Sequence, residues 1–132
     1  MQTEVFKLIA LYVGAILVLA SCAGLQQEVT TGTGGGEKSI AIEADSFKFT
    51  PNNIQAYEGD VMVLNINNVS GSTHNITIKD PEGQILQSVD LPAKKAVEVS
   101  IKLSKPGEYL FYCDKPMHSL FGMKGRIEVL KR

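Results

Sequence analysis

Residues 109–129 read YLFYCDKPMHSLFGMKGRIEV and include a Cys, a His and a Met at regular spacing, all of which can bind a metal. Cys113, His118 and Met123 follow one another at intervals of five residues. They lie between a stretch that is typical of a β-strand and a second strand that begins near Gly125. A loop between two strands can bring three such side chains to one point, so the spacing predicts a metal-binding loop.

The three side chains favour copper. A thiolate, an imidazole and a thioether are soft ligands, and two His with one Cys and a weak axial Met form the arrangement of blue copper electron-transfer sites. The chain contains only two His, and the other one, His74, begins an alternating strand. Each residue alone is more often an ordinary core or surface residue. Their joint pattern predicts one copper ion bound by His74, Cys113, His118 and Met123.

The remainder of residues 38–132 alternates between apolar and polar side chains in short runs separated by turn residues. Such runs indicate half-buried strands, and the frequent Pro, Gly, Asn and Asp leave little room for helices. We therefore predict an all-β antiparallel sandwich or small barrel. The positions predicted to face inward are Ile40, Ile42 and Ala44; Val61 and Val63, with the polar Asn65 as an optional third position; Ile76 and Ile78; Val97, Val99, Ile101 and Leu103; and Ile127 and Val129.

The N-terminus is predicted to be a signal peptide over residues 1–21. Residues 5–20 read VFKLIALYVGAILVLA, with 14 apolar side chains in 16. The uninterrupted part, residues 8–20, is 13 residues long, shorter than the roughly 20 that span a bilayer. Residues 19–22, LASC, resemble the lipobox of bacterial lipoproteins, which implies a lipid on Cys22 and a domain outside the cytoplasm, in the periplasm or at the cell surface. Alternatively, Cys22 is an ordinary thiol or a disulfide partner of Cys113.

Residues 22–37 are rich in Gln, Thr and Gly and predict a flexible linker to a folded domain over residues 38–132.

Composition excludes other classes of protein. The chain has 13 Lys plus Arg against 14 Asp plus Glu, so it offers no basic surface for nucleic acid. Two Cys are too few for a disulfide scaffold. We expect a monomer that reaches the membrane only through its N-terminal lipid.

Residues 38–132 resemble the cupredoxins, which are type 1 blue copper proteins. The Cys-x4-His-x4-Met loop is similar in spacing to that of rusticyanin and the auracyanins, and the Cys-x-x-Pro-x-His and Met-Lys-Gly segments resemble azurin. Residues 47–54, FKFTPNNI, and 58–60, EGD, are similar to the second strand and turn of the family. The resemblance implies a Greek-key β-sandwich that carries single electrons between redox proteins of an electron-transport chain.

The resemblance also implies roles for residues around the copper. Asn75 would connect the His74 strand to the Cys loop; the alternative is a plain turn residue. Pro116 has no N–H, so it would stiffen the loop and withhold a donor from the sulfur. Met117 stands where relatives often have Gly, and this second thioether leaves open which Met binds. The Gly122-Met123 pair favours Met123 as the ligand.

Docking residues are expected around His118, whose ring edge reaches the surface in the family. Met117, Leu120 and Phe121 would form an apolar surface for transient redox partners; Leu120 and Phe121 capping the core is the alternative. Tyr112 resembles a family position near a second docking surface, or is an ordinary surface Tyr.

Three classes of function are compatible with a copper domain. The electron carrier is favoured. An enzyme would need further His ligands for a catalytic copper, and both His are already used, so we expect no enzyme activity. The alternative is a copper-handling lipoprotein, a chaperone or store that binds Cu(I) with the same soft ligands.

Overall fold

The computed structural model describes residues 35–131, and every regular element in this range is a β-strand. The predicted signal peptide, Cys22 and most of the predicted linker lie outside the described residues. Between residues 35 and 131 there is no helix with the length and hydrophobicity needed to cross a bilayer. The strands are β1 (Glu37–Asp45), β2 (Lys48–Thr50), β3 (Asn53–Tyr57), β4 (Val61–Asn68), β5 (His74–Lys79), β6 (Ile85–Leu91), β7 (Ala96–Lys102), β8 (Gly107–Tyr112) and β9 (Lys124–Leu130).

The strands form two sheets, in the orders β2-β1-β4-β7 and β3-β9-β8-β5-β6. The prediction of an all-β sandwich is confirmed. Both sheets are mixed, because β1 pairs with β4 and β3 pairs with β9 in parallel. The chain leaves the first sheet after β2, adds β3 to the second sheet and returns as β4. β4 therefore runs beside β1 in the same direction. A pattern of apolar residues does not reveal the direction of a strand.

The core fills the space between the two sheets. Alternation predicted the inward positions of β1, β7 and β9 correctly, since Ile40, Ile42, Ala44, Val99, Ile101, Ile127 and Val129 are buried. In β4 the prediction was wrong by one residue. Met62, Leu64 and Ile66 are fully buried there, whereas Asn65 is exposed and its amide donates to Ser39. The error arises because β4 has apolar residues on both of its faces, and Val63 is also buried.

The second sheet brings the predicted ligands to one end of the sandwich. His74 is the first residue of β5, Cys113 follows β8, and Met123 precedes β9. β8 pairs antiparallel with both β5 and β9, so the end of β8 and the starts of β5 and β9 lie at the same end of the sheet. The residues that bind the metal in the sequence-based hypothesis are therefore brought together by strand pairing.

Candidate metal centre

Two imidazoles and one thiol converge at this end of the sandwich. The ligand atoms of His74, Cys113 and His118 all lie within 4.8 Å of one another. The two Nδ1 atoms are 3.1 Å apart, and Cys113 Sγ lies 3.4 Å from Nδ1 of His118. His74 and Cys113 are buried, while His118 is half-buried. The donors therefore face a common point with one of the two rings at the surface.

The loop over residues 113–123 is closed by its own backbone. The N–H of Cys113 donates to the carbonyl of Met123 (3.0 Å), and the N–H of Met123 donates to the carbonyl of His118 (3.0 Å). The N–H of His118 donates to the carbonyl of Lys115 (3.1 Å). Because these bonds cross the loop, the positions of Cys113, His118 and Met123 depend on one another.

The distances suit a small metal ion that takes nitrogen and sulfur ligands. Metal–nitrogen bonds of about 2.0 Å in a trigonal plane would place two nitrogens about 3.5 Å apart, and a metal–sulfur bond of about 2.3 Å would place sulfur and nitrogen about 3.7 Å apart. The observed 3.1 and 3.4 Å differ from these values by only a few tenths of an ångström. The geometry and softness of the donors fit copper.

The two candidate thioethers lie in different environments. The side chain of Met123 is fully buried and follows Gly122, which has a φ of 107°. Met117 is 55% exposed and has a φ of 68°, in the left-handed region where a side chain is rarely found. Met123 is thus the interior thioether of the loop, and Met117 belongs to the surface.

Asn75 connects the strand of His74 to the loop of Cys113. Its Oδ1 accepts a hydrogen bond from the N–H of Asp114 (2.7 Å), and its Nδ2 donates to Oγ1 of Thr77 (3.2 Å). Thr77 Oγ1 in turn donates to a carboxylate oxygen of Asp114 (3.2 Å). Thr77 and Asp114 could not be identified from the sequence, because only the pairing of β5 with β8 brings them together.

Pro116 lies exposed in the turn before His118. Next to it, Lys115 forms an ion pair with Asp90 of β6 at 3.1 Å. The hydrogen bond to Asp90 is the main cause that raises the pKa of Lys115. The Lys115 side chain is half-buried and the Asp90 side chain is exposed, and ion pairs in contact with solvent contribute little to stability. The ion pair therefore links the loop to β6 without adding much to the stability of the fold.

Burial lowers the pKa of His74 below its ordinary value of 6.5. The neighbouring imidazole of His118 lowers it further, and the carboxylate of Asp45 acts weakly in the opposite direction. The neutral imidazole is the form that binds a metal. The environment of His74 thus favours its ligand form.

Exposed apolar residues lie in the same loop as the half-buried His118. Met117, Leu120 and Phe121 are 55%, 74% and 61% exposed. Phe47, which in the sequence is only part of a segment similar to the second strand and turn of the family, completes this surface. Its ring contacts those of His118 and Phe121 edge-on, with centroids 5.1 and 5.3 Å away. We call Phe47, Met117, Leu120 and Phe121 the apolar patch.

Tyr112 lies on the outer face of the second sheet. It is half-buried, whereas the adjacent Phe111 points inward and is fully buried. The Lys79 ammonium lies 5.3 Å from the centre of the Tyr112 ring, within the range of a cation–π contact. Tyr112 is therefore a surface position that is joined directly to Cys113 by the backbone.

Comparisons with known proteins agree with this architecture. A reduced auracyanin from Roseiflexus castenholzii is 19% identical with a TM-score of 0.62, and the match covers 75% of this chain and 99% of that chain. Auracyanin A, a blue copper protein from Chloroflexus aurantiacus, is 20% identical with a TM-score of 0.62, covering 72% and 100%. The Cu(I)-bound metal-binding domain of the Cu(I)-exporting ATPase CopA from Streptococcus pneumoniae D39 is 18% identical with a TM-score of 0.61, covering 81% and 99%.

At these low sequence identities, the similarity to the solved structures shows the fold alone. No curated protein matches the sequence as a relative. The profile of the cupredoxin-like domain matches residues 9–129, which is most of the chain. This fold and the donor set described above make a site for one type 1 copper ion. The chain belongs to the cupredoxin-like domain family.

Proposed function

We propose that the protein is a membrane-tethered one-electron carrier whose copper is bound by His74, Cys113, His118 and Met123. Bound copper supplies the Cu(II)/Cu(I) couple. One observation supports electron transfer most directly: His118 is half-buried and contacts the apolar patch, while His74 and Cys113 are buried. One ligand ring therefore connects the interior of the site with the surface, where a partner can bind.

The rigidity of the donors suits this role. His74 is held in β5, and the backbone of the Cys113 loop is closed by the bond to Met123. Asn75 joins the two parts through Asp114. Donors that are held by the protein in one arrangement change little between oxidation states, which keeps the reorganisation on electron transfer small.

The apolar patch is the proposed docking surface for redox partners. Weak electron-transfer encounters use small interfaces, and an exposed apolar surface beside a ligand provides one. Electron self-exchange between oxidised and reduced copies, measured by NMR line broadening, tests this without a known partner. We expect Phe121→Lys to slow self-exchange at least tenfold. Ile85→Lys is the matched control, because Ile85 is equally exposed at 61% but lies in β6.

Tyr112 is proposed as a second contact for a partner, because the backbone joins it to Cys113. Physiological partners would be redox proteins of an electron-transport chain.

We also propose that the protein is not an enzyme. Both His of the chain lie in the copper site, so neither is available for a second, catalytic copper.

The tether is proposed from residues outside the described range. Lipid-modified Cys22 would follow a cleaved signal peptide over residues 1–21, and residues 22–37 would link it to a monomeric domain over residues 38–132 outside the cytoplasm. β1 begins at Glu37, so the first strand starts next to this boundary. Metabolic labelling with a radioactive fatty acid tests the anchor. We expect label and membrane association in the native chain and neither in Cys22→Ser.

A copper-handling lipoprotein is the second candidate. Its support is the likeness in fold to the Cu(I)-bound domain of CopA and the exposed thioether of Met117 beside His118. Such a protein would bind Cu(I) tightly and release it to another protein, and it would not need a reversible couple.

Visible and EPR spectra of the full chain in detergent, loaded with Cu(II), distinguish the two candidates. The electron carrier predicts an intense blue band and narrow copper hyperfine splitting, which disappear with ascorbate and return on oxidation. A pale ordinary Cu(II) spectrum, or binding of Cu(I) alone, would contradict it and favour copper handling. Met117→Leu should keep the spectrum and the potential, whereas Met123→Leu should change both.

A further inference from the structure

The ring of His74 has a polar contact on the side away from the other donors. Its Nε2 lies 2.8 Å from Oγ of Ser70, while its Nδ1 faces Nδ1 of His118 at 3.1 Å. His74 and Ser70 are both buried, and so is Asn68, whose side chain contacts Ser70. These contacts are shielded from solvent, so Nε2 of His74 depends on the Ser70 hydroxyl for its hydrogen bond.

The orientation of the Asn68 amide follows from the backbone carbonyls around it. Its Nδ2 lies 2.8 Å from the carbonyl of Leu91 and 2.9 Å from that of Ser72. Carbonyls only accept, so this atom must be the donating nitrogen. The oxygen, Oδ1, therefore faces Ser70 and accepts from the Ser70 N–H at 3.0 Å.

The Ser70 hydroxyl has one proton to donate and can accept two hydrogen bonds. It accepts one from the N–H of Ser72 (3.2 Å). It also lies 2.8 Å from Oδ1 of Asn68 and 3.0 Å from the carbonyl of Ser72, two oxygens that can only accept. Its proton is therefore directed to one of these oxygens. Its remaining lone pair accepts from His74, which requires a proton on Nε2 of the imidazole.

We propose that Asn68 and Ser70 are positioning residues that fix the Nε2–H tautomer of His74 and thereby direct the Nδ1 lone pair toward the metal. This inference rests on the proposed role of His74 as a ligand. Metal-binding His residues commonly donate their second ring N–H to an oxygen acceptor, and loss of that acceptor costs about 10–100-fold in affinity or activity. Here a buried hydroxyl is the acceptor.

The pair is also fixed to the strand beside His74. Leu91 is the last residue of β6 and lies opposite His74 in the register of β5 and β6. Asn68, the last residue of β4, donates to the Leu91 carbonyl. The end of β4, the turn that carries Ser70 and the partner strand of His74 are therefore one hydrogen-bonded unit. A displaced ring would have to break buried hydrogen bonds, which is costly.

The test compares Ser70→Thr with Ser70→Val, two side chains of the same shape that differ in the hydroxyl. Copper affinity is measured by competition with a chelator on the full chain in detergent. The tautomer of His74 is read from long-range proton–nitrogen NMR spectra of the metal-free chain at alkaline pH, where imidazoles are neutral. Ser100→Ala, at an exposed position in β7, is the control.

We expect Ser70→Val to bind copper about 10–100-fold more weakly and to mix the two tautomers of His74. Ser70→Thr and Ser100→Ala should retain the native affinity and the Nε2–H tautomer. Native affinity with an unmixed tautomer in Ser70→Val would overturn the inference. A proton on Nδ1 of His74 in the unsubstituted protein would also overturn the inference. That measurement does not depend on whether any variant folds. Failure of the proposed function would give a different result, because the unsubstituted, copper-loaded protein would then lack the blue spectrum.

Discussion

Among the glycines of the described residues, Gly125 is the one where an added methyl group should cost most. It lies in β9 directly opposite Phe111 of β8. A Cβ at Gly125 would be 2.3 Å from Cζ of Phe111 and 2.5 Å from the backbone oxygen of Asn52, and real Cβ atoms essentially never approach closer than 3.0 Å. The Phe111 ring is fully buried and packs edge-on against Phe49 at 5.5 Å, and the Asn52 oxygen accepts from Arg126 at 2.8 Å. Neither neighbour can move freely.

The expected cost of Gly125→Ala follows from this crowding. Overpacking a core typically costs about 1–3 kcal/mol. Two held neighbours, one of them backbone, place this substitution near the upper limit, at about 3 kcal/mol. One kcal/mol shifts the melting temperature of a domain of 60–100 residues by about 4–8 °C, so we expect a decrease of about 12–24 °C.

Urea and thermal denaturation of the metal-free chain, followed by circular dichroism, measure this effect. Gly71→Ala is the matched control, because a Cβ at Gly71 meets nothing within 4 Å. We expect the control to stay within about 1 kcal/mol of the native protein. A free energy of unfolding for Gly125→Ala within about 0.5 kcal/mol of the native value would refute the reasoning.

Four further predictions concern the copper site. Cys113→Ser should abolish the blue absorption, because that band requires the thiolate; a fully blue variant would contradict the ligand assignment. Met123→Gln should keep copper but lower the reduction potential, measured by voltammetry, since the axial ligand tunes it. The metal-free protein should lose stability as the pH falls below about 6.5, because burial lowers the pKa of His74 in the folded state, the unfolded state binds more protons, and stability then rises with pH. The urea midpoint should show this slope, and His74→Gln should reduce it. Asn75→Ala should cost about 1–2 kcal/mol in urea denaturation, because it removes the acceptor of the Asp114 N–H.

Most of the candidate site could be predicted because its chemistry lies within one short loop. Cys113, His118 and Met123 fall within 11 consecutive residues, and His74 is the only other His. The contact of Phe47 with His118 could not be predicted in this way. It comes from the turn between β1 and β2, and only the packing of one sheet against the other brings that turn to the loop.

Ser70 was missed for a related reason. In the sequence it is one of three polar residues in a turn, Ser70-Gly71-Ser72, and nothing local distinguishes it from a solvated turn residue. Its burial depends on Asn68, whose bonds to Leu91 and Pro92 cross from β4 to the end of β6. The hydrogen bond to the ligand ring therefore depends on a contact between the two sheets, which alternation does not specify.

The same physical limit explains which parts of the fold were predicted. Alternation identifies strands that are buried on one face, as in β1, β7 and β9. It fails for β4, where Val61 and Val63 add apolar residues to the outer face, and for β6, where Ile85 and Leu86 are exposed at the edge of the sheet. It gives no information on strand direction, so the parallel pairs β1–β4 and β3–β9 appeared only in the structure.

The core and the copper site share β8, so stability and metal geometry should change together. Phe111 lies in the centre of the core and precedes Cys113 by two residues, and the Cys113 N–H is bonded to Met123 at the start of β9. A displacement of Phe111 by Gly125→Ala would be transmitted along the chain to Cys113, two residues away, and through its hydrogen bond to Met123. His74 is more remote, because it lies four residues from Ile78, the residue of β5 that pairs with Phe111. We therefore expect the copper-loaded variant to show a shifted visible spectrum as well as reduced stability. Loss of stability with an unchanged spectrum would mean that the hydrogen bonds of the loop hold the donors independently of the core.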